Sequence, residues 1–345
     1  MKPFIIDPGA LGDHSALLGA IVTEDARAGG KRVFQKGQRI ELADLDLLPG
    51  LDGPVHAVRL DPDDLHENVA GMRLARAVMG EGLQIRGPVQ SRYNLVATVK
   101  GLLRVDEERL FEIDTIPGMA VFALPDRMVV VPGKVSAGVK ITPVAAPEGD
   151  LARAEAIAAG QPIIRVLPFR PMKIGVVTTE GMAENLRERF REAVERKVGW
   201  FGAAVIGYAE PPVETDAVAA AIEQLIASGA EIMLLAGGNT IDPLDPALLA
   251  LPKIGAEMLR FGAPAHPGSM FWMAQRGDVP IINLASCSMY SKSTVADLVL
   301  PRLMAGERVT ANDLHRLGIG GLLDRGMSWR FPPYNAETAD ESGEE

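Results

Sequence analysis

The sequence predicts an α/β protein. Its second half forms a three-layer α/β/α domain with a mostly parallel sheet, preceded by a smaller β-rich α+β domain. Three observations carry this expectation. From about Arg165 onward, apolar strands alternate with amphipathic helices, the pattern of a parallel sheet covered on both faces. Before that point the apolar runs are short and broken by Gly, Pro and Asp. The length of 345 residues, with 47% hydrophobic and 23% charged, is enough for two domains with sizeable cores. The division falls into an N-terminal α+β accessory domain at 1–165, an α/β domain at 166–330 and an acidic tail at 331–345, whose composition suggests disorder.

In the first half, Gly19–Glu24 reads as a strand and Gly29-Gly30 as a turn into a second strand at Arg32–Phe34. Lys36–Ile40 reads as a turn into a further strand, Leu42–Leu48 as one or two helical turns, and Pro54–Leu60 as a clear β run. Asp61-Pro62-Asp63-Asp64 supplies a cap and a first-turn proline for a helix over Leu65–Met79, where apolar residues follow a helical period. Met128–Pro132 and Val135–Pro143 read as paired strands around Pro132-Gly133, and Asp150–Ala159 as a helix closed by Gly160.

In the second half, Met172–Thr178 is a buried parallel-type strand, and Met182–Lys197 is an amphipathic helix rich in Glu/Arg pairs. Phe201–Tyr208 is the next strand. Thr215 is expected to cap a helix from Asp216 to Ser228, ended by Gly229. Glu231–Leu235 and Val279–Leu284 are further buried strands, and Ser293–Ala305 is a final helix. Ligands of such sheets sit outside the carboxyl ends of the strands.

Composition excludes several function classes. The net charge is −10, and no basic run offers a general nucleic-acid surface. Cys287 is the only cysteine, so neither an internal disulfide nor a Cys-based metal site can form. The five histidines are scattered without metal-ligand spacing, and no metal ligands are assigned. No apolar run is long enough for a transmembrane helix, and the N-terminal apolar stretch is too short for a signal peptide. A cytoplasmic protein is expected.

Three loops at strand ends carry the candidate chemistry. The first, Thr178-Thr179-Glu180-Gly181, could hold an oxyanion on its hydroxyls, with Glu180 acting on a metal, a water or a ligand hydroxyl. The same residues also suit a plain capping turn. In the second, Gly237 and Gly238 let the backbone approach a ligand, Asn239 and Thr240 add hydrogen bonds, and Asp242 and Asp245 add carboxylates. These could hold Mg²⁺ or polarise a group beside a phosphate, and the alternative is a tight turn with an Asp-Pro helix start. The third, His266-Pro267-Gly268-Ser269-Met270, is read as opening a helix whose N–H groups face an anion, or as a simple Pro-Gly turn. Ser288, Ser291 and Lys292, after the Val279–Leu284 strand, are candidates for a second anionic contact.

The order of these loops resembles the molybdopterin-binding domain of the MogA, MoaB and MoeA families of molybdenum cofactor biosynthesis. Thr178, Thr179 and Glu180 match that family's first turn. Gly237, Gly238, Thr240 and Asp245 match its Gly-rich loop, and Pro267, Gly268 and Ser269 match its Pro-Gly loop. The match covers about residues 170–305. Three positions depart from the pattern: Glu180 stands for a usual Asp, Asp242 for a Gly, and Met270 for a Pro. The resemblance implies that Gly237, Gly238, Thr240, Pro267, Gly268 and Ser269 surround a pterin phosphate and that Asp245 lies near the reacting end. It implies molybdopterin as ligand or substrate, with Mg²⁺ and molybdate as further species, and catalytic roles for Asp245, Asp242 and Glu180. It also implies a homo-oligomer and an apo-molybdoenzyme or other cofactor-biosynthesis protein as partner. Two activities follow: insertion of molybdate into adenylylated molybdopterin, or non-catalytic carriage, chaperoning or sensing of the cofactor. The first half is similar to a segment of certain fused molybdenum cofactor cytidylyltransferases, through Val58–Asn68, Ser91–Leu95 and Lys140–Pro143, although the nucleotide loop of the cytidylyltransferase domain is missing.

Overall fold

The computed structural model describes residues 1–338 apart from Leu11, Glu180, Met182 and 285–292. The chain divides into two compact units. The first comprises Met1–Thr98, Arg104–Asp126 and Lys134–Arg165, and the second comprises Val99–Leu103, Arg127–Gly133 and Val166–Glu345. Among the described residues no helix is long and apolar enough to cross a membrane.

The first unit is α+β. A three-stranded antiparallel sheet orders Lys2–Ile6, Val55–Arg59 and Ile21–Val22. Its buried side chains, Ile6, Val22 and Val55 among them, close a core with Phe34 and Leu48. A four-stranded antiparallel sheet orders Met119–Ala123, Val135–Ile141, Arg92–Ala97 and Leu83–Val89. The helix Glu67–Val78 lies against it, burying Ala70, Leu74, Ala75 and Val78 at helical spacing. Three expectations fail here. Asp61-Pro62-Asp63-Asp64 does not cap the helix: Asp64–His66 pairs as a short strand with Ala145–Pro147, and His66 is the N-cap. Lys36–Ile40 forms no strand beyond a single bridge between Arg39 and Ile21. Val129–Val130 does not pair across Pro132-Gly133 with Val135–Ile141; it pairs antiparallel with Gly101 and Leu102 in the second unit. A local turn signal loses there to a non-local strand that buries Val129 and Val130.

The second unit is built on β1 (Lys173–Thr178), α1 (Glu184–Trp200), β2 (Ala204–Ala209), α2 (Thr215–Ala227), β3 (Ile232–Ala236) and α3 (Pro246–Lys253). It continues with β4 (Glu257–Phe261), β5 (Trp272–Arg276), β6 (Val279–Leu284) and α4 (Val295–Met304). The sheet order is β2-β1-β3-β6-β5-β4. The first four strands are parallel, and β5 and β4 add an antiparallel edge. Both faces are covered, as β3 shows by alternation. Ile232, Leu234 and Ala236 enter one core with Phe190, Val194 and Leu300, while Met233 and Leu235 enter the other with Val218, Ile222 and Leu251. The α/β/α reading is therefore observed. The chain leaves β1 for β2 on one side and returns to β3 on the other, so the switch point lies outside the carboxyl ends of β1 and β3.

Local details depart from the sequence reading. α2 begins at Thr215 itself, with Glu214 as an N-cap that makes no side-chain bond. Ser269 opens no helix. The apolar run after it is too short for one and becomes β5, which turns at Gly277 (φ +56°) and pairs with β6. The stretch 331–337, assigned from composition to a disordered tail, is packed against the unit: Tyr334 sits edge-on to Trp200 and Phe201, and Ala336 O accepts from Trp200 Nε1 at 3.0 Å. Phe331 and Tyr334 supply the apolar area that the acidic residues lack.

A charged network also closes this unit. Asp313 accepts from Arg127 at 3.0 Å and Arg302 at 3.2 Å, and Arg302 also pairs with Glu307 at 2.9 Å. Burial alone would raise the Asp313 carboxyl. The Thr310 hydroxyl and backbone N–H, with Arg302 and Arg127, outweigh it and hold the group at about 2, below its ordinary 3.8. The stabilisation is therefore complete above about pH 4 and disappears as pH falls toward 2. Urea unfolding across that window should show the wild type losing on the order of 2 kcal/mol more than Asp313→Asn. Equal acid losses in both proteins would remove this network from the account.

Candidate functional site

Four connections reach the carboxyl edge of the parallel strands: those after β1, β3, β4 and β6. The last, with Ser288 and Lys292, lies outside the described residues, as does Glu180 in the first.

After β1, Thr178 and Thr179 are both buried. Thr179 N donates to Ala236 O at 3.0 Å, so the ladder with β3 runs to its end. The Thr179 hydroxyl is buried and has no hydrogen-bond partner among the described residues. Such a group costs free energy unless something outside the described residues satisfies it.

After β3 the chain turns on Gly237 (φ +85°) and Gly238 (φ +82°), conformations that other residues adopt only under strain. Gly238 is constrained twice, because a Cβ there would stand 3.0 Å from Asp245 Oδ2. Asp245 is 7% exposed, and both its oxygens are engaged. Oδ1 caps α3 by accepting from Ala247 N at 2.8 Å, and Oδ2 accepts from Asn239 N at 2.6 Å. Asp242 is exposed on the same turn, where its Oδ1 accepts from Leu244 N at 2.9 Å. The N–H groups of Gly238 and Thr240 have no acceptor among the described residues. Successive amides left open on a glycine turn form an anion cradle. Among the described residues no three His, Cys, Asp or Glu side chains gather to hold a metal ion.

After β4 the chain forms a compact loop. Ala263 N donates to Ser269 O at 3.0 Å and Phe271 N to Gly268 O at 2.9 Å. Gly268 rests on the start of α4, since a Cβ there would stand 2.9 Å from Val295 N. His266 is exposed, and its backbone pairs with Gly321 O and Leu323 N at 2.8 Å. With no helix after Ser269, this loop contributes its own backbone rather than a helix terminus.

Asn283 links the second and third loops, and the sequence reading missed it. It is 4% exposed within β6. Its Oδ1 accepts from Trp272 N at 2.6 Å, and its Nδ2 donates to Met270 O at 3.0 Å and, more weakly, to Thr240 Oγ1 at 3.5 Å. The available signal was a lone amide in the apolar run Val-Pro-Ile-Ile-Asn-Leu.

The arrangement thus gathers Gly238, Asn239, Thr240 and Asp245 on one turn, sets Thr179 beside the strand that feeds it, and ties Thr240 to the Met270 end of the third loop. It can bind an anion through backbone N–H and hydroxyl groups. Removing the Asp245 carboxylate tests the geometry directly. Asp245→Ala should lower stability by about 1–2 kcal/mol through loss of a helix cap and a buried acceptor. Hydrogen–deuterium exchange should quicken at Asn239 and Ala247, and unchanged exchange at both amides would contradict the assignment.

No family model and no curated protein matches the chain. Solved structures similar to it include a putative molybdenum cofactor biosynthesis protein from Corynebacterium diphtheriae, at 17% identity and TM-score 0.26, covering 38% of this chain and 93% of that one. A molybdopterin biosynthesis MoeA protein from Pyrococcus horikosii has 13% identity and TM-score 0.29, covering 92% and 77%. A molybdopterin biosynthesis protein from Mycobacterium abscessus has 16% identity and TM-score 0.28, covering 43% and 97%. Likenesses of this size carry no argument about activity.

Proposed function

We propose that the carboxyl edge of the six-stranded sheet binds molybdopterin, free or as a nucleotide, by its phosphate, and that the protein serves molybdenum cofactor biosynthesis or delivery. The observation that carries this reading is the turn at Gly237–Thr240, whose two amides, like the nearby Thr179 hydroxyl, have no partner among the described residues. Each of those groups can donate, so together they suit a phosphate. Further support is the order of the three loops along the chain, which is that of the molybdopterin-binding families.

In this reading the Gly238 and Thr240 amides and the Thr179 hydroxyl hold phosphate oxygens. Asn239 and the Pro267-Gly268-Ser269 loop flank the bound molecule, with Thr178 supporting Thr179; Ser288 and Lys292 are assigned a second anionic contact. Asp245 acts as a positioning residue. Its oxygens accept from Asn239 and Ala247, which fixes the cradle and leaves Asp242 as the more accessible carboxylate of the loop. Holding and passing on the cofactor, to an apo-molybdoenzyme or to another copy of the pathway's machinery, needs nothing more than this. Molybdate insertion would require Asp242, with Glu180, to meet Mg²⁺ or molybdate, and Asp242 keeps one carboxylate oxygen outside its Leu244 bond.

Isothermal titration of the full chain with molybdopterin should give micromolar or tighter binding, about −8 kcal/mol or better. Gly238→Asp should abolish it, since that side chain would both strain the turn and repel the phosphate. Thr179→Val should weaken it by about tenfold. Failure of the wild type to bind would end the molybdopterin reading. Molybdate turnover that vanishes in Asp242→Asn while binding persists would add insertion to carriage.

A further inference from the structure

The first unit holds a groove of about 730 Å³, a volume typical of small-molecule sites. It lies between the turn at Gln35–Gln38, the start of the helix Glu67–Val78 and the hairpin tip at Gln90–Ser91, with Lys140 on its wall. The residue that calls for a ligand is Glu67. It is 3% exposed, it lines the groove, and its carboxylate makes no hydrogen bond or ion pair among the described residues. Its carboxylate therefore faces the groove as a spare acceptor for a donor that enters there.

The local sequence explains why the carboxylate is spare. An acidic residue in a first helical turn ordinarily serves the helix end. Here His66 has taken that task, because its Nδ1 accepts from Asn68 N at 3.2 Å. The proton is therefore on Nε2, which donates to Gly37 O at 2.9 Å. That bond draws the turn down over the helix start. Gly37 has φ +80°, and a Cβ there would collide with Glu67 Oε1. Tyr93 fixes the same end by donating to Asn68 O at 2.9 Å. Burial, and then the Glu67 charge, push the Tyr93 hydroxyl up, so it stays protonated as a donor. Around the groove, Lys36 has no side-chain partner among the described residues, and Lys140 Nζ donates to Gln90 O at 2.7 Å.

We propose that this groove binds a small molecule carrying a guanidine-type pair of N–H donors at one end and an anionic group at the other. The paired donors match the two oxygens of Glu67 as a guanidinium fork matches a carboxylate. The anionic group meets the ammonium groups of Lys36 and Lys140. The donor pair can come from a ring, as in a 2-amino-oxopurine nucleotide, or from an open-chain guanidino acid. This site stands apart from the carboxyl-edge cradle and goes beyond the function proposed for it.

Calorimetry on the full chain separates the two sources. The ring probe is guanosine 5′-monophosphate against inosine 5′-monophosphate, which lacks the exocyclic amine. The open-chain probe is guanidinoacetate against acetate. One donor-bearing probe should bind at least about tenfold tighter than its control. Glu67→Gln should erase that preference, and Lys36→Ala should weaken binding while keeping it. The same titrations in a Gly238→Asp background, where the cradle is closed to phosphate, should keep the preference over the controls, so failure here and failure at the cradle are distinguishable. Absence of binding by both probes at millimolar concentration, or no preference over the controls, overturns the proposal. The wild-type comparison decides even where Glu67→Gln does not fold.

Discussion

The second unit's candidate site hangs on one carboxylate. Asp245 places one oxygen on the first turn of α3 and the other on the amide of Asn239. The glycine turn and the helix after it are therefore a single piece. The pairing dictates Gly238, because the carboxylate occupies the space a side chain would need. It also dictates the chemistry left over. With its only buried carboxylate saturated by backbone donors, the turn presents further donors outward, and an edge made of donors selects an anion. A free aspartate there would have selected a cation instead.

The same logic extends across the edge through Asn283. An amide buried in a strand must be satisfied in full, and this one is satisfied by three neighbouring segments. It transmits the position of β5 to the third loop and, through Thr240, to the glycine turn. The loops are thus held by side chains that come from strands and helix starts. Among the described residues, the loops themselves are left with open amides at Gly238 and Thr240 and the Thr179 hydroxyl. This is the division of labour expected of a binding edge, with rigid elements fixing the frame and loops meeting the ligand.

The core of this frame is legible in the sequence because β1, β3 and β6 are buried on both faces and read as mostly apolar runs. The antiparallel edge is not. β4 mixes Glu, Arg and Phe on a half-exposed strand, and β5 is a short apolar run that resembles a helix start after Pro-Gly-Ser. The Val129–Val130 pairing is hidden for a related reason, since its partner is distant in sequence while a turn signal lies next to it. Glycines 237 and 238 are legible as a close-approach turn. The task of Asp245 is not, because an aspartate before a proline fits both a helix cap and a reacting carboxylate until its partners are seen. Asn283 shows in the sequence as a lone amide, but its partners do not, because they depend on the register of β5 against β6.

The two units solve the same local problem in opposite ways. Each sets a glycine in a left-handed turn against the start of a helix, with a buried carboxylate beneath the glycine. At Gly238 the carboxylate is itself the helix cap, so it is consumed by backbone amides. At Gly37 a histidine caps the helix, so the Glu67 carboxylate is not consumed among the described residues. The first arrangement exports donors and the second exports an acceptor. The identity of one capping residue, Asp245 or His66, therefore decides the sign of the ligand group that each site can satisfy. A molecule with a phosphate at one end and paired N–H groups at the other would find a complement in either place.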